Sequence, residues 1–154
     1  MGKVNTRRAV IFPGFGVKPQ EQLREFLRRE EKVELAYLFG SAARGKRGKL
    51  SDVDVAVHLD ASLSSGERFK LRLRLMSEIA SLLKTDNVDL IVMNDAPPTL
   101  DYEIIRFKPV FARDASRKVE VEHRIMSRYL DRRYYEKRAL DAFLRRVSEK
   151  GLSW

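Results

Sequence analysis

Three aspartates in this chain stand where a charged side chain needs a reason. Asp52 and Asp54 are one residue apart at the mouth of an apolar run, Val53-Asp54-Val55-Ala56-Val57-His58-Leu59. In an extended strand, residues i and i+2 point to the same face, about 6.6 Å apart along the chain. Two carboxylates so placed repel each other, and aspartate is disfavoured in strands. A divalent cation between them removes both objections, because hard Mg2+ takes carboxylate oxygens together with phosphate oxygens and water. Asp89 interrupts a second apolar run, Val88 to Met93, where a buried charge is costly unless paired or metal-bound. If the two runs are adjacent strands, three carboxylates converge on one patch. Two metal ions about 3.5–4 Å apart would then clamp the attacking and leaving oxygens of an in-line phosphoryl displacement. Asp52 and Asp54 would bridge the metals and hold a triphosphate. Asp89 would bind the metal that activates an acceptor hydroxyl, or take its proton.

A second group lies upstream. Gly40-Ser41 closes the run Val33-Glu34-Leu35-Ala36-Tyr37-Leu38-Phe39. Glycine lets backbone approach a phosphate closely, and successive N–H groups with the Ser41 hydroxyl suit its oxygens. Arg44 offers a bidentate contact to triphosphate charge; Lys46, Arg47 and Lys49 share its loop and are weaker candidates. Each feature also has an ordinary reading. Gly-Ser after a strand is a common turn, Asp52 can simply follow a turn, Asp54 can pair with an arginine, and Asp89 can sit in a salt bridge. All of them together, within about fifty residues, require several coincidences.

The elements that must position these residues follow from periodicity. Leu23, Phe26 and Leu27 fall at i, i+3 and i+4 within a helix over Pro19–Lys32. Val33–Phe39, Val53–Leu59 and Val88–Met93 read as strands. The Ser62–Gly66 stretch supplies cap and breaker residues for a helix to about Lys84, with Leu71, Leu75, Ile79 and Leu82 or Leu83 on one stripe. Ala96-Pro97-Pro98 opens a short helix through Arg106, and Lys108–Phe111 is a fourth strand weakened by its proline. Ala115–Lys150 is one long charged helical segment, with a kink left open. Strands alternating with helices give an α/β domain, or α+β if the strands pair in mixed directions. The expected architecture is a small mixed β-sheet flanked by helices, in a single domain spanning 1–154: an N-terminal arm (1–18), a core (33–112) and a C-terminal helical segment (115–150).

With 154 residues and 44% hydrophobic content, the chain suffices for one compact domain. It has no cysteine, which excludes disulfides and thiolate metal sites. No stretch reads as a signal peptide or a membrane span, so a cytoplasmic protein is expected. The charge of +9 favours a polyanionic partner: nucleotide, nucleic acid or an acidic protein surface. No aromatic-interleaved basic motif accompanies it, so nucleic acid stays open without being favoured. His58 and His123 lack ligand spacing and read as surface or core histidines. Tyr129, Tyr134, Tyr135, Phe143 and Leu144 recur near helical spacing and read first as core, second as a partner-binding face. Arg132, Arg133, Arg145 and Arg146 read as a solvated face, with docking to an acidic protein or RNA left open.

Gly40-Ser41, Arg44-Gly45 and Ser51-Asp52-Val53-Asp54 before an apolar run resemble the signature of the polymerase-β-like nucleotidyltransferase superfamily. Within it, the short length and the segment Ala96–Tyr135 resemble minimal nucleotidyltransferases of the MntA antitoxin type, which pair with HEPN-domain toxin ribonucleases. The resemblance covers roughly Leu35 to Tyr135; the Gly-Ser/Asp-x-Asp core is specific, the tail much less so, and Met1–Phe15 is unmatched. It implies Asp52, Asp54 and Asp89 as catalytic metal ligands for two Mg2+, and Gly40, Ser41, Arg44 and Ser51 as nucleotide-binding residues. It further implies AMP transfer from ATP onto a hydroxyl, a tyrosine above all, of a HEPN toxin, which silences it. Two alternatives remain: the same chemistry on RNA or a small molecule, and an antitoxin that acts by binding alone.

Overall fold

The computed structural model describes residues 16–40 and 53–151. Residues 1–15 and 41–52, the latter with Ser41, Arg44, Ser51 and Asp52, lie outside them. The described elements are α1 (Val17–Arg29), β1 (Val33–Phe39), β2 (Val53–Leu59), α2 (Ser65–Leu83), β3 (Val88–Val92), α3 (Pro98–Ile105), β4 (Pro109–Ala112) and α4 (Ala115–Lys150). The strands form one sheet in the order β3-β2-β1-β4. Both β2 and β4 run antiparallel to β1, whereas β3 runs parallel to β2. The sheet is therefore mixed, as expected. β4 tolerates Pro109 because it is an edge strand, where a missing N–H costs no interior ladder bond.

Strand alternation sorts the side chains into two layers. On one face Val53, Val55 and Val57 of β2 and Leu90 and Val92 of β3 pack beneath Leu23 and Leu27 of α1 and Leu75 and Ile79 of α2. On the other, Leu35, Tyr37 and Ala56 pack with Met93, with Ile104 of α3, and with Val121 and Ile125 of α4. Phe39 and Ile91 join that second layer half-buried.

Parallel neighbours need a long crossover, and α2 supplies it between β2 and β3. It begins with a capping box: the Glu67 N–H donates to Ser64 Oγ (3.2 Å) and the Ser64 N–H to Glu67 Oε1 (3.4 Å). It ends at Lys84, which takes the left-handed conformation, φ 54°. The β2–β3 register is held beyond both strand ends. The Val53 N–H donates to the Asn87 carbonyl (2.7 Å). At the far end the Asn94 side-chain amide mimics a peptide group, accepting from the Leu59 N–H (2.8 Å) and donating to its carbonyl (2.9 Å).

The long last segment is an unbroken helix whose buried residues, Val121 and Ile125, all lie in its first third. Tyr134, Tyr135, Phe143 and Leu144 are exposed, which overturns their reading as core. Tyr129 alone of that group packs, stacking face to face on Tyr102 of α3 with ring centroids 3.8 Å apart.

Asp101, in the first turn of α3, is buried, and its Oδ1 has no hydrogen-bond partner among the described residues. Burial pushes its carboxyl up to about 7, with the positive charge of Arg128 pulling the other way. Between the ordinary carboxylate range and that value, the folded state holds a proton that the unfolded state has released. Its stabilisation is therefore full in acid and is lost as pH rises through about 7. Asp101→Asn removes this dependence. The stability of the variant minus that of the wild type is expected to rise by the order of 2–4 kcal/mol from about pH 4 to pH 8 in urea titrations. A difference that stays flat with pH would show that Asp101 ionises freely.

Candidate functional site

β1 delivers its last residue, Phe39, directly opposite Asp54 of β2. Gly40 follows at φ +72°, a conformation that glycine adopts without strain. A Cβ at Gly40 would run into Asp54 Oδ2 and lie 3.2 Å from its Cγ. Two independent reasons thus exclude a side chain at Gly40: its dihedral, and the carboxylate against its backbone.

In the parallel ladder Asp54 pairs with Asp89. The two carboxylates therefore leave the same face of neighbouring strands, about 4.8 Å apart in the sheet. Asp54 is half-buried, whereas the Asp89 side chain is 55% exposed. This corrects the expectation of a costly buried charge in β3. Asp89 sits on an edge strand, where solvent reaches it, so its presence is no sign of burial paid for by a metal. Adjacency of the strands, in contrast, is as anticipated. Arg72 of α2 approaches it, with Nη2 4.0 Å from Asp89 Oδ1. The guanidinium is committed first to the strand itself, its Nε donating to the Leu90 carbonyl at 2.7 Å. So long and wet an ion pair contributes little. Beyond Arg72 a cleft of ≈ 400 Å3 opens between α2, β3 and α3, lined by Phe69, Ile91, Asp95, Pro97 and Leu100.

Of the seven residues singled out in the sequence, the structure brings together Gly40, Asp54 and Asp89. Asp52, Ser41, Arg44 and Ser51 lie outside the described residues, as do Lys46, Arg47 and Lys49. Among the described residues no group of three or more His, Asp or Glu side chains stands ready to hold a metal ion. The donor chemistry of the Asp54–Asp89 pair nevertheless fits a hard divalent cation, since both offer only carboxylate oxygens from adjacent strands.

Deeper on the same face, sequence reasoning missed a buried ion pair. His58 is buried and donates from Nδ1 to Glu34 Oε2 at 2.8 Å, while Arg117 Nε donates to Glu34 Oε1 at 3.2 Å. Burial holds His58 below its ordinary range, against the opposite pull of the Glu34 carboxylate. Glu34 at the start of β1 thereby ties down the first turn of α4. A second tie follows five residues on, where Tyr37 donates its hydroxyl proton to Glu122 Oε1 at 2.6 Å. His123 is exposed on α4. Nothing local in the sequence marks these partners, because each pair joins residues far apart in the chain.

A mixed sheet, a glycine of positive φ against a strand aspartate, and a second aspartate in register define a site that faces the sheet edge. The family model described as polymerase beta, nucleotidyltransferase matches residues 21–116, and the chain belongs to that family. No curated protein matches it in sequence. Solved structures do. A toxin–antitoxin with AMP-PNP is 24% identical, with TM-score 0.62, covering 81% of this chain and 98% of that one. The toxin–antitoxin MntA–HepT is 22% identical at TM-score 0.61, covering 84% and 99%. A tri-AMPylated Shewanella oneidensis HEPN toxin in complex with MNT antitoxin gives 22% identity and TM-score 0.59, covering 82% and 97%. Likenesses at this identity establish the nucleotidyltransferase fold. No helix among the described residues is long and apolar enough to cross a membrane.

The Gly40 contact makes a quantitative prediction. Gly40→Ala should cost on the order of 1–3 kcal/mol in thermal or urea unfolding, from the positive φ and the overlap with Asp54. In an Asp54→Gly background the overlap is gone and only the backbone penalty remains. A double-mutant cycle should therefore show coupling of at least about 0.5 kcal/mol. Strict additivity would mean that the two residues do not constrain each other.

Proposed function

We propose that this chain transfers AMP from ATP onto a tyrosine hydroxyl of a HEPN-type toxin, silencing it. The observation that carries the reading is the in-register Asp54–Asp89 pair beside Gly40, within a family whose activity is nucleotidyl transfer. Structural likenesses to a toxin–antitoxin with AMP-PNP and to a tri-AMPylated HEPN toxin in complex with MNT antitoxin support both the nucleotide and the acceptor class. Those likenesses span 98% and 97% of the matched chains.

Each residue has a role in this scheme. Gly40 and Ser41 present backbone N–H groups and a hydroxyl to the triphosphate, and Arg44 and Ser51 add contacts from the same loop. Asp52 and Asp54 hold Mg2+ through their carboxylates, with Asp89 as a further ligand on the acceptor side. When bound, Mg2+ (two ions) neutralises charge on the triphosphate and on the departing pyrophosphate. The acceptor oxygen attacks the α-phosphorus, a new P–O bond forms, the bond to the β-phosphate oxygen breaks, and pyrophosphate leaves. The hydroxyl proton passes to Asp89, whose exposure on the edge strand suits a group that must meet a bulky protein acceptor. Single domain organisation over 1–154 and a cytoplasmic setting complete the reading.

The test uses intact mass spectrometry on the chain incubated with ATP, Mg2+ and a cognate HEPN-domain protein. A gain of one or more AMP units on the partner is expected. Asp52→Asn with Asp54→Asn should abolish it, and Asp89→Asn should lower kcat by about 100-fold or more while nucleotide binding persists. Transfer that survives the double substitution would sink the assignment. AMP found on RNA and never on protein would move the acceptor, and toxin neutralised by the double variant would favour binding alone.

A further inference from the structure

Helix α4 crosses the second face of the sheet in a definite direction. Arg117 meets Glu34 at the start of β1, and Glu122 meets Tyr37 halfway along it. The helix thus runs the way β1 runs, toward Phe39, Gly40 and the Asp54–Asp89 pair. Its last buried residue is Ile125. From Leu130 to Lys150 every residue is exposed except Val147, which is half-buried. At 1.5 Å per residue this half is about 30 Å long. It also lies wholly outside the family match, which ends at residue 116.

This exposed half is amphipathic. Leu140, Phe143, Leu144 and Val147 fall at i, i+3, i+4 and i+7. Leu140, Phe143 and Leu144 are 55%, 53% and 52% exposed. An exposed apolar patch of this kind over residues 140–147 marks an interaction site. Around it basic residues outnumber acidic ones: residues 130–150 hold seven Lys and Arg against four Asp and Glu, a net of +3.

We propose that this half of α4 is a docking arm that grips the acceptor protein and holds its tyrosine at the Asp54–Asp89 edge. Its occupant is a helical face of the HEPN partner, apolar at the centre and rimmed by carboxylates; the proposal rests on the function proposed above. Charge argues against a second copy of the chain, which would set one +3 arm beside another. Chemistry argues against nucleic acid. A stripe led by Leu140, Leu144 and Val147 gains nothing from phosphates, and aliphatic side chains do not stack on bases as aromatic ones do. Helix-in-groove recognition uses this same i, i+3, i+4, i+7 set of anchors.

The experiment compares the wild type with Leu140→Gln/Phe143→Gln/Leu144→Gln, which preserves charge and helix propensity at exposed positions. Ala142→Gln on the polar side of the same helix is the control, and circular dichroism verifies the fold of each. Affinity for a cognate HEPN-domain protein is measured by calorimetry, and AMP transfer by mass. The triple variant should bind at least about 30-fold more weakly. Its transfer should show raised KM for the partner with kcat retained, while the control matches the wild type. Unchanged partner affinity in the triple variant overturns the proposal. So does an arm-dependent loss of binding to a labelled RNA, or of self-association in sedimentation, with HEPN binding intact. An arm-dependent complex in which no AMP moves leaves the arm standing and removes the proposed activity instead.

Discussion

The structure hangs on the parallel pairing of β2 with β3. Side-chain direction alternates with every residue of a strand, so only even offsets keep Asp54 and Asp89 on one face. A one-residue slip would turn one of the two into the aliphatic layer under α1 and α2, among Val55, Leu90 and Ile79. The chain resists that slip from three directions. The valines and leucines of both strands are buried against α2 in the present register alone. The Asn87 carbonyl and the Asn94 amide continue the ladder beyond the ends of the strands. The crossover helix, fixed by its capping box and by the left-handed Lys84, sets where β3 begins. A parallel pair cannot be joined by a tight turn, so the site exists only because α2 spans the sheet.

That arrangement places two like charges side by side at a cost that the rest of the fold must cover. The cost is lowered asymmetrically. Asp89 stays hydrated on the edge strand, while Asp54 is half-buried against the backbone of Gly40. A residue with a side chain at position 40 would push the carboxylate away, so the glycine serves the geometry of its neighbour as much as its own turn. The two apolar layers carry the stability, leaving the edge free to hold a constellation that is poor for folding and suited to gathering positive charge.

Much of this was legible in sequence, for identifiable reasons. Strand and helix positions followed from periodicity because each element buries one face: Leu75 and Ile79 in α2, or Val53, Val55 and Val57 in β2. Gly40, Asp54 and Asp89 were visible as residues that a plain strand-and-turn reading leaves without a purpose. Strand order was not legible, since pairing depends on packing between distant segments. For that reason Asp89 looked buried: an apolar run reads alike in a central strand and at an edge. The Glu34–His58–Arg117 group was hidden for the same cause, with its members 24 and 83 residues apart. Tyr134, Phe143 and Leu144 were misjudged as core because an amphipathic stripe has one spacing whether it faces its own sheet or another molecule.

Helix α4 shows how one element can satisfy two demands in sequence. Its first third is tied to β1 through Arg117–Glu34 and Tyr37–Glu122, and buries Val121 and Ile125. Its remainder has no core to complete, although most helical stability in proteins comes from packing an amphipathic face. Continuity with the docked third supplies the nucleus that a free helix lacks, and pairs such as Arg132–Glu136 (2.9 Å, i,i+4) add a few tenths of a kcal/mol each. A helix so supported keeps the direction that its docked part sets. Because that direction runs along β1 toward Gly40, the contacts at Glu34 and Tyr37 also orient the exposed half with respect to the aspartate pair. Contacts that look purely structural thereby fix the angle from which a partner seated on that half would approach the site.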